Sequence, residues 1–277
     1  MTVGGAARGR GLLVAAHAPP AAVVTLLGLG LALGAGAALP RALLVTAAVA
    51  AGQLSVGWSN DWLDAARDAR VGRRDKPTVT GAVSPATLRV AALGALAACT
   101  LLSLATGLRP GLLHLAAVAS AWAYNAGLKS TVVSWLPYAV SFGLLPAFVV
   151  LAAGRPAVPA WLVGAGALLG VGAHVANVLP DLEDDHATGV RGLPHRLGRR
   201  TSSVLAPVVL AAGSVVALVG PAGAPGPTAV TLTGAAVALA VAAGVVGVVR
   251  PRSRAPFLLS MAVAVVCLGQ LVLAVSL

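Results

Sequence analysis

Acidic side chains are scarce in this 277-residue sequence. There are eight, Asp61, Asp64, Asp68, Asp75, Asp181, Glu183, Asp184 and Asp185, all in two short stretches. Charged residues make up 10% of the chain, against roughly 25% in average soluble chains, which excludes an ordinary water-facing surface. Cysteine is limited to Cys99 and Cys267, each inside an apolar run, so a disulfide framework is excluded and packing is their expected role. Lysine is almost missing too: among nineteen basic residues only Lys76 and Lys129 are lysines. No polar linker interrupts the chain. The first apolar run follows Arg8 and Arg10 without a convincing cleavage site, so no cleaved signal peptide is expected.

What remains is apolar. Hydrophobic residues are 58% of the chain and the mean hydropathy is +0.92. A spanning helix needs about 20 mostly apolar residues, and nine such runs can be drawn, at 20–39, 41–60, 86–107, 111–128, 131–153, 158–180, 203–220, 228–249 and 256–276. The expectation is an all-α membrane protein, one domain over 1–277, with about nine transmembrane helices. With the N-terminus cytoplasmic, sixteen of the nineteen basic residues fall on the cytoplasmic side, leaving only Arg41, Arg109 and Arg155 opposite. That is a strong positive-inside bias. The net charge of +11 therefore reports orientation rather than a nucleic-acid partner. The richness in Ala, Val, Gly and Arg suits a GC-rich bacterium, and the expected location is its inner membrane.

This topology puts both acidic stretches at the cytoplasmic mouth, each at the end of an inward-running span. Asn60, Asp64 and Asp68 stand at i, i+4 and i+8, one face of a helix. Asn177, Asp181 and Asp185 repeat the spacing 117 residues later, as two related halves would, and Pro180 is expected to kink or end the second helix. Crowded carboxylates repel one another, and divalent cations relieve that repulsion. An all-oxygen donor set favours Mg²⁺ shared with substrate phosphates. A solvated helix end decorated with charge is the plainer alternative.

Basic residues follow the first cluster closely: Arg70, Arg73, Arg74 and Lys76, before Pro77. Cations beside a metal motif suit the oxygens of a di- or polyphosphate, although loop charge alone accounts for Arg89 and for Arg70. Tyr124 and Lys129 offer a phenol and an ammonium to the same anion, with an interfacial aromatic belt the plain reading of Tyr124. His174, three residues before Asn177, would touch an acceptor or act as a base, against the ordinary reading of a packed histidine. His17 and His114 carry no partner pattern. Asp61 and Glu183 lie off their motif faces, Trp58 and Trp62 suit an aromatic belt, and Gly164–Gly172 suits close helix packing.

Together these stretches resemble the UbiA superfamily of intramembrane prenyltransferases. Residues 60–68 resemble its first aspartate-rich motif, and 181–185, with Asn177 before and Gly189 after, its second. Tyr124 to Lys129 resemble its tyrosine-lysine element, and 73–81 the loop after the first motif. The resemblance covers nearly the whole chain. It implies nine helices around a central cavity open laterally to lipid, as two four-helix-like halves plus one helix. It implies two Mg²⁺, one on Asn60, Asp64 and Asp68 and one on Asp181 and Asp185, bridging a prenyl diphosphate whose oxygens meet Arg73, Arg74, Lys76, Tyr124 and Lys129. The implied reaction is prenyl transfer to a lipophilic or aromatic acceptor resembling a quinone precursor. Relatives that cyclise the prenyl diphosphate, or transfer phosphoribosyl to a polyprenyl phosphate, give the alternative activities. A transporter fits poorly, because no carboxylate falls at the midplane.

Overall fold

The computed structural model describes residues 5–182, 185, 189–250 and 252–276. Those residues form ten α-helices, a single 3₁₀ turn at Leu128–Ser130, and no strand. The helices are α1 (Gly5–Ala15), α2 (Ala18–Gly34), α3 (Leu39–Val71), α4 (Pro85–Ala105), α5 (Leu108–Ala126), α6 (Leu136–Ala152), α7 (Ala160–Val178), α8 (Leu193–Val219), α9 (Pro227–Val249) and α10 (Ala255–Ser276).

Proline sets most of the starts. A proline occupies the first or second position of α2, α3, α4, α6, α8 and α9, where its fixed φ suits the helix and its missing N–H loses nothing. At the other end of α3, Gly72 adopts φ 69, and the Arg73 N–H donates to the Asp68 carbonyl at 3.1 Å. This left-handed cap stops the helix just past its last aspartate.

From α2 to α10 each helix packs against the next, and α10 packs back on α2 to close a ring. The largest side chains of the main buried core are Leu31, Val45, Val49, Phe148, Leu162, Leu210 and Leu271. The glycine-rich face of α7 lets the ring tighten. A Cβ at Gly166 or Gly170 would strike the carbonyls of Phe142 and Tyr138 on α6, and one at Gly172 would strike Leu210 on α8. Gly164 faces no neighbour.

The span count differs from the nine expected. Six helices, α3, α4, α7, α8, α9 and α10, are long and apolar enough to cross a membrane. A seventh arises if α1 and α2, bent by 63° at their junction, form one broken span. The run expected at 131–153 begins in turns and yields only the 17-residue α6. Helix α5 carries Arg109 and His114 and falls outside the set. These multiple apolar helices make the chain a multi-pass membrane protein.

Two of the three basic residues set apart by the charge count perform one structural task. Arg41 donates from Nε to the Ala152 carbonyl at 2.7 Å and also to the Thr106 carbonyl, and Arg155 donates to the Ala35 carbonyl at 3.1 Å. They thus cover the C-terminal carbonyls of α6, α4 and α2, groups that no helical N–H reaches. Those helix ends lie at the end of the bundle opposite the aspartates of α3.

Candidate active site

Helix α3 has 33 residues, about 50 Å at 1.5 Å per residue, well beyond the roughly 30 Å of a hydrocarbon core. Its last turns carry Asp61, Asp64 and Asp68, and all three are buried against the bundle. Asp64 is paired with Lys129 and, at 2.9 Å, with Arg67. Among the described residues neither oxygen of Asp68 accepts a hydrogen bond, and the nearest cation, Arg67, is 3.6 Å away. Asn60 is half-buried and donates to Asp61 at 3.3 Å.

Asp61, off the face of Asn60, Asp64 and Asp68, has its own partners. Only 1% exposed, it takes Lys76 at 2.8 Å and His17 at 3.1 Å on the same oxygen. Lys76 therefore lies on a carboxylate, and His17 has the partner that its sequence context did not supply.

Lys129 reaches Asp64 because α5 is bolted to α3. Asn125 donates to the Val56 carbonyl and to the Ser59 hydroxyl, both at 2.9 Å, and Trp122 donates to the Ser55 hydroxyl at 2.9 Å. Gly127 then turns the chain with φ 153 into the 3₁₀ turn that carries Lys129. Burial pulls the Lys129 ammonium below the usual lysine range, and Asp64 pulls it back.

Helix α7 ends at Val178, just before Pro180, as the proline requires. Beyond it Asp181 is half exposed and lies 3.5 Å from Arg73, which also binds Asp75 at 2.8 Å. Hydrogen bonding to Arg73 holds the Asp75 carboxyl below the ordinary carboxylate range, and the same contact raises the guanidinium. Arg73 also feels the charge of Asp68. It thus ties the loop after the first acidic cluster to Asp181 of the second. Asp185 lies 3.6 Å from His195. Glu183 and Asp184 lie outside the described residues.

Between the clusters sits an aromatic group. Tyr124 lies within electrostatic reach of Asp64 and Asp185 and meets Tyr138 and His174 edge-on, with centroids 5.1 and 5.6 Å apart. Tyr138 also lies against His174, with ring centroids 4.8 Å apart. His174 is buried, bonds to the Ser134 hydroxyl at 3.0 Å and leaves Nδ1 without a partner among the described residues. Arg74 is exposed. Sequence reasoning passed over Arg67, Tyr138, Ser134 and His195. Only Tyr138 had a signal, as one of just two tyrosines in the chain. Trp58 packs with α1 and donates to the Leu12 carbonyl at 2.9 Å, while Trp62 meets Trp122 edge-on, so both brace helices. His114 bonds to Ser103 at 2.7 Å and stacks on Phe148.

Among the described residues no three His, Cys, Asp or Glu side chains converge as a ready-made ion cage. The donor chemistry nevertheless suits a hard cation. Asp68 offers two buried oxygens with no hydrogen-bond partner, and the other donors at the bundle mouth are carboxylate and amide oxygens, the set Mg²⁺ takes together with water and phosphate. An apolar groove of about 670 Å³ between α5, α6 and α7, lined by Leu112, Leu144 and Leu151, touches none of these residues.

Residues 21–268 match the UbiA prenyltransferase family. Among curated proteins no sequence matches. Solved structures do. A UbiA homolog from Archaeoglobus fulgidus bound to GPP and Mg²⁺ is similar at TM-score 0.72 and 16% identity, over 96% of this chain and 100% of that one. The apo structure of a UbiA homolog from Aeropyrum pernix K1 is similar at TM-score 0.73 and 22% identity, over 89% and 96%. A digeranylgeranylglyceryl phosphate synthase structure is similar at TM-score 0.67 and 15% identity, over 97% and 99%. At these identities the likeness speaks to the fold.

Proposed function

This chain belongs to the UbiA prenyltransferase family, and from that premise we propose that it moves a prenyl group from a prenyl diphosphate to a lipophilic or aromatic acceptor, releasing diphosphate. The observation that carries the reading is the 3.5 Å contact of Arg73 with Asp181, which ties the loop after the first acidic cluster to the second. Similar folds bound to GPP or DMAPP with Mg²⁺ support the choice of substrate. In the reaction the bond from the prenyl C1 to the diphosphate oxygen breaks and its electron pair leaves with diphosphate. The acceptor forms a bond to C1 and gives up a proton.

Asn60, Asp64 and Asp68 would hold one Mg²⁺, and Asp181 and Asp185, with Asn177 beside them, another. The ions would supply neutralisation of the leaving diphosphate. Around them Arg73, Arg74, Lys76, Tyr124 and Lys129 bind the diphosphate oxygens, as donors aimed at the charge that grows on the leaving group. Lys129 and Lys76 carry carboxylate partners whose charge holds each ammonium at the site. The closely packed mouth around Tyr124, Tyr138 and His174 excludes water from the electron-poor prenyl centre, and His174 faces the acceptor. Residues 1–277 act as one domain in the inner membrane, with the N-terminus and the site cytoplasmic, as the basic residues favour.

The test is a product assay. Detergent-purified protein with Mg²⁺ is given labelled geranyl, farnesyl or geranylgeranyl diphosphate, with and without 4-hydroxybenzoate or a naphthoate. Acceptor-dependent prenylated product with equimolar diphosphate is expected. A cyclic hydrocarbon formed without acceptor would assign a cyclase instead.

A further inference from the structure

His195 is buried, with its side chain 2% exposed, and neither ring nitrogen has a hydrogen-bond partner among the described residues. Buried polar atoms are normally satisfied, and an apolar residue at this position would pack without the penalty of an orphaned donor. Among the described residues the nearest acidic oxygen is Asp185 Oδ2, 3.6 Å from Nε2 and just beyond hydrogen-bond distance.

The segment that carries the ring is held on several sides. The Leu193 N–H donates to the Ser134 hydroxyl at 2.9 Å, and the Ser202 hydroxyl donates to the Pro194 carbonyl at 3.1 Å. A Cβ on Gly192 would stand 2.6 Å from the Lys129 carbonyl, so only glycine lets the segment lie this close to the lysine turn. A break at Gly198, with φ 78, turns this first part of α8 away from the rest of the helix. Asp185 is fixed through its backbone, which accepts from the Val190 N–H at 2.9 Å and donates to the Asp181 carbonyl at 2.8 Å. Ring and carboxylate thus sit on anchored backbones, with a gap only slightly longer than a hydrogen bond between them.

We infer that His195 is a positioning residue whose Nε2–H donates to the Asp185 carboxylate and fixes which oxygen Asp185 presents to a divalent cation. The inference rests on the reading of Asp185 as a cation ligand in the prenyl-transfer site. Outer hydrogen-bond partners of this kind orient a ligating carboxylate before the ion arrives. Ser134, which also bonds to His174, ties the same segment to the aromatic group beside Tyr124. The second acidic cluster is thereby set in register with the first through the Lys129 turn.

Binding of Mn²⁺ to the purified full chain, with inorganic diphosphate present and followed by electron paramagnetic resonance, tests this without turnover. His195→Leu is expected to bind Mn²⁺ about 10-fold more weakly, with an unchanged or higher Tm. His195→Gln, whose amide donor reaches the place of Nε2, recovers the affinity, and His195→Asn, whose shorter side chain does not, leaves it weak. In turnover, the deficit of His195→Leu appears in KM and is relieved by raising Mg²⁺. A folded His195→Leu that binds Mn²⁺ like wild type, while Asp185→Asn loses affinity, overturns the inference and leaves the functional reading intact. Wild-type binding by Asp185→Asn overturns both. Should His195→Leu fail to fold, equal affinities for the Gln and Asn variants overturn it as well.

Discussion

Asp64→Ala is expected to lower prenyl transfer by about 10³-fold or more, a loss of roughly 4 kcal/mol in transition-state stabilisation, as removal of one ligand from a metal-assisted leaving-group site implies. Asp64 is the carboxylate on which the first cluster converges, between Lys129 and Arg67. Its removal takes away a cation ligand and leaves two positive side chains facing each other without their shared partner. Helix insertion depends on the apolar run of α3, which the substitution does not touch, so the variant should reach the membrane and elute as a folded species. Product formation at saturating prenyl diphosphate is the measurement, with size-exclusion behaviour as the folding control. Near-normal turnover by the folded variant would remove Asp64 from the mechanism.

Asp68→Asn should show an effect of similar size on activity with the opposite sign in stability. Asp68 is fully buried, and neither oxygen accepts a hydrogen bond. Its nearest cation, Arg67, is closer to Asp64. A buried charge held this way destabilises the fold, whereas a neutral amide of the same shape fits without that penalty. Thermal unfolding without metal is expected to move up, by about 1–2 kcal/mol of added stability. A ligand bound at a hundred times its Kd adds about 2.7 kcal/mol to the folded state. The wild type should therefore gain Tm with Mg²⁺ and inorganic diphosphate, and Asp68→Asn should gain little. A lower metal-free Tm for the variant would show that the surrounding cations already stabilise the wild-type charge.

Much of this arrangement was written in local sequence. The aspartates at 60–68 and 177–185 declared themselves by their isolation in an acid-poor chain, and the prolines marked the helix starts. Pro180 ended α7 where its missing N–H demands. Long-range pairing left no such trace. The pairing of Asp61 went unseen because a helical wheel cannot reveal that His17, 44 residues earlier, and Lys76, 15 later, close on the same oxygen. His195 sits in a basic stretch with nothing to mark it as buried. Its environment comes from the break at Gly198 and the close approach of Gly192, both properties of the folded backbone. The span count was not matched exactly for a related reason: hydropathy counts residues, whereas the first turns of the run at 131–153 are not helical.

The central claim is that two clusters 117 residues apart in sequence act on one diphosphate. A double-variant cycle tests it directly, with affinity for a prenyl thiodiphosphate in Mn²⁺ measured by calorimetry for wild type, Asp64→Ala, Asp181→Ala and the double variant. Groups that act as one unit are strongly non-additive. The double variant is therefore predicted to bind no more weakly than the worse of the two single variants. Losses that simply add, or full affinity in either single variant, would contradict a shared site.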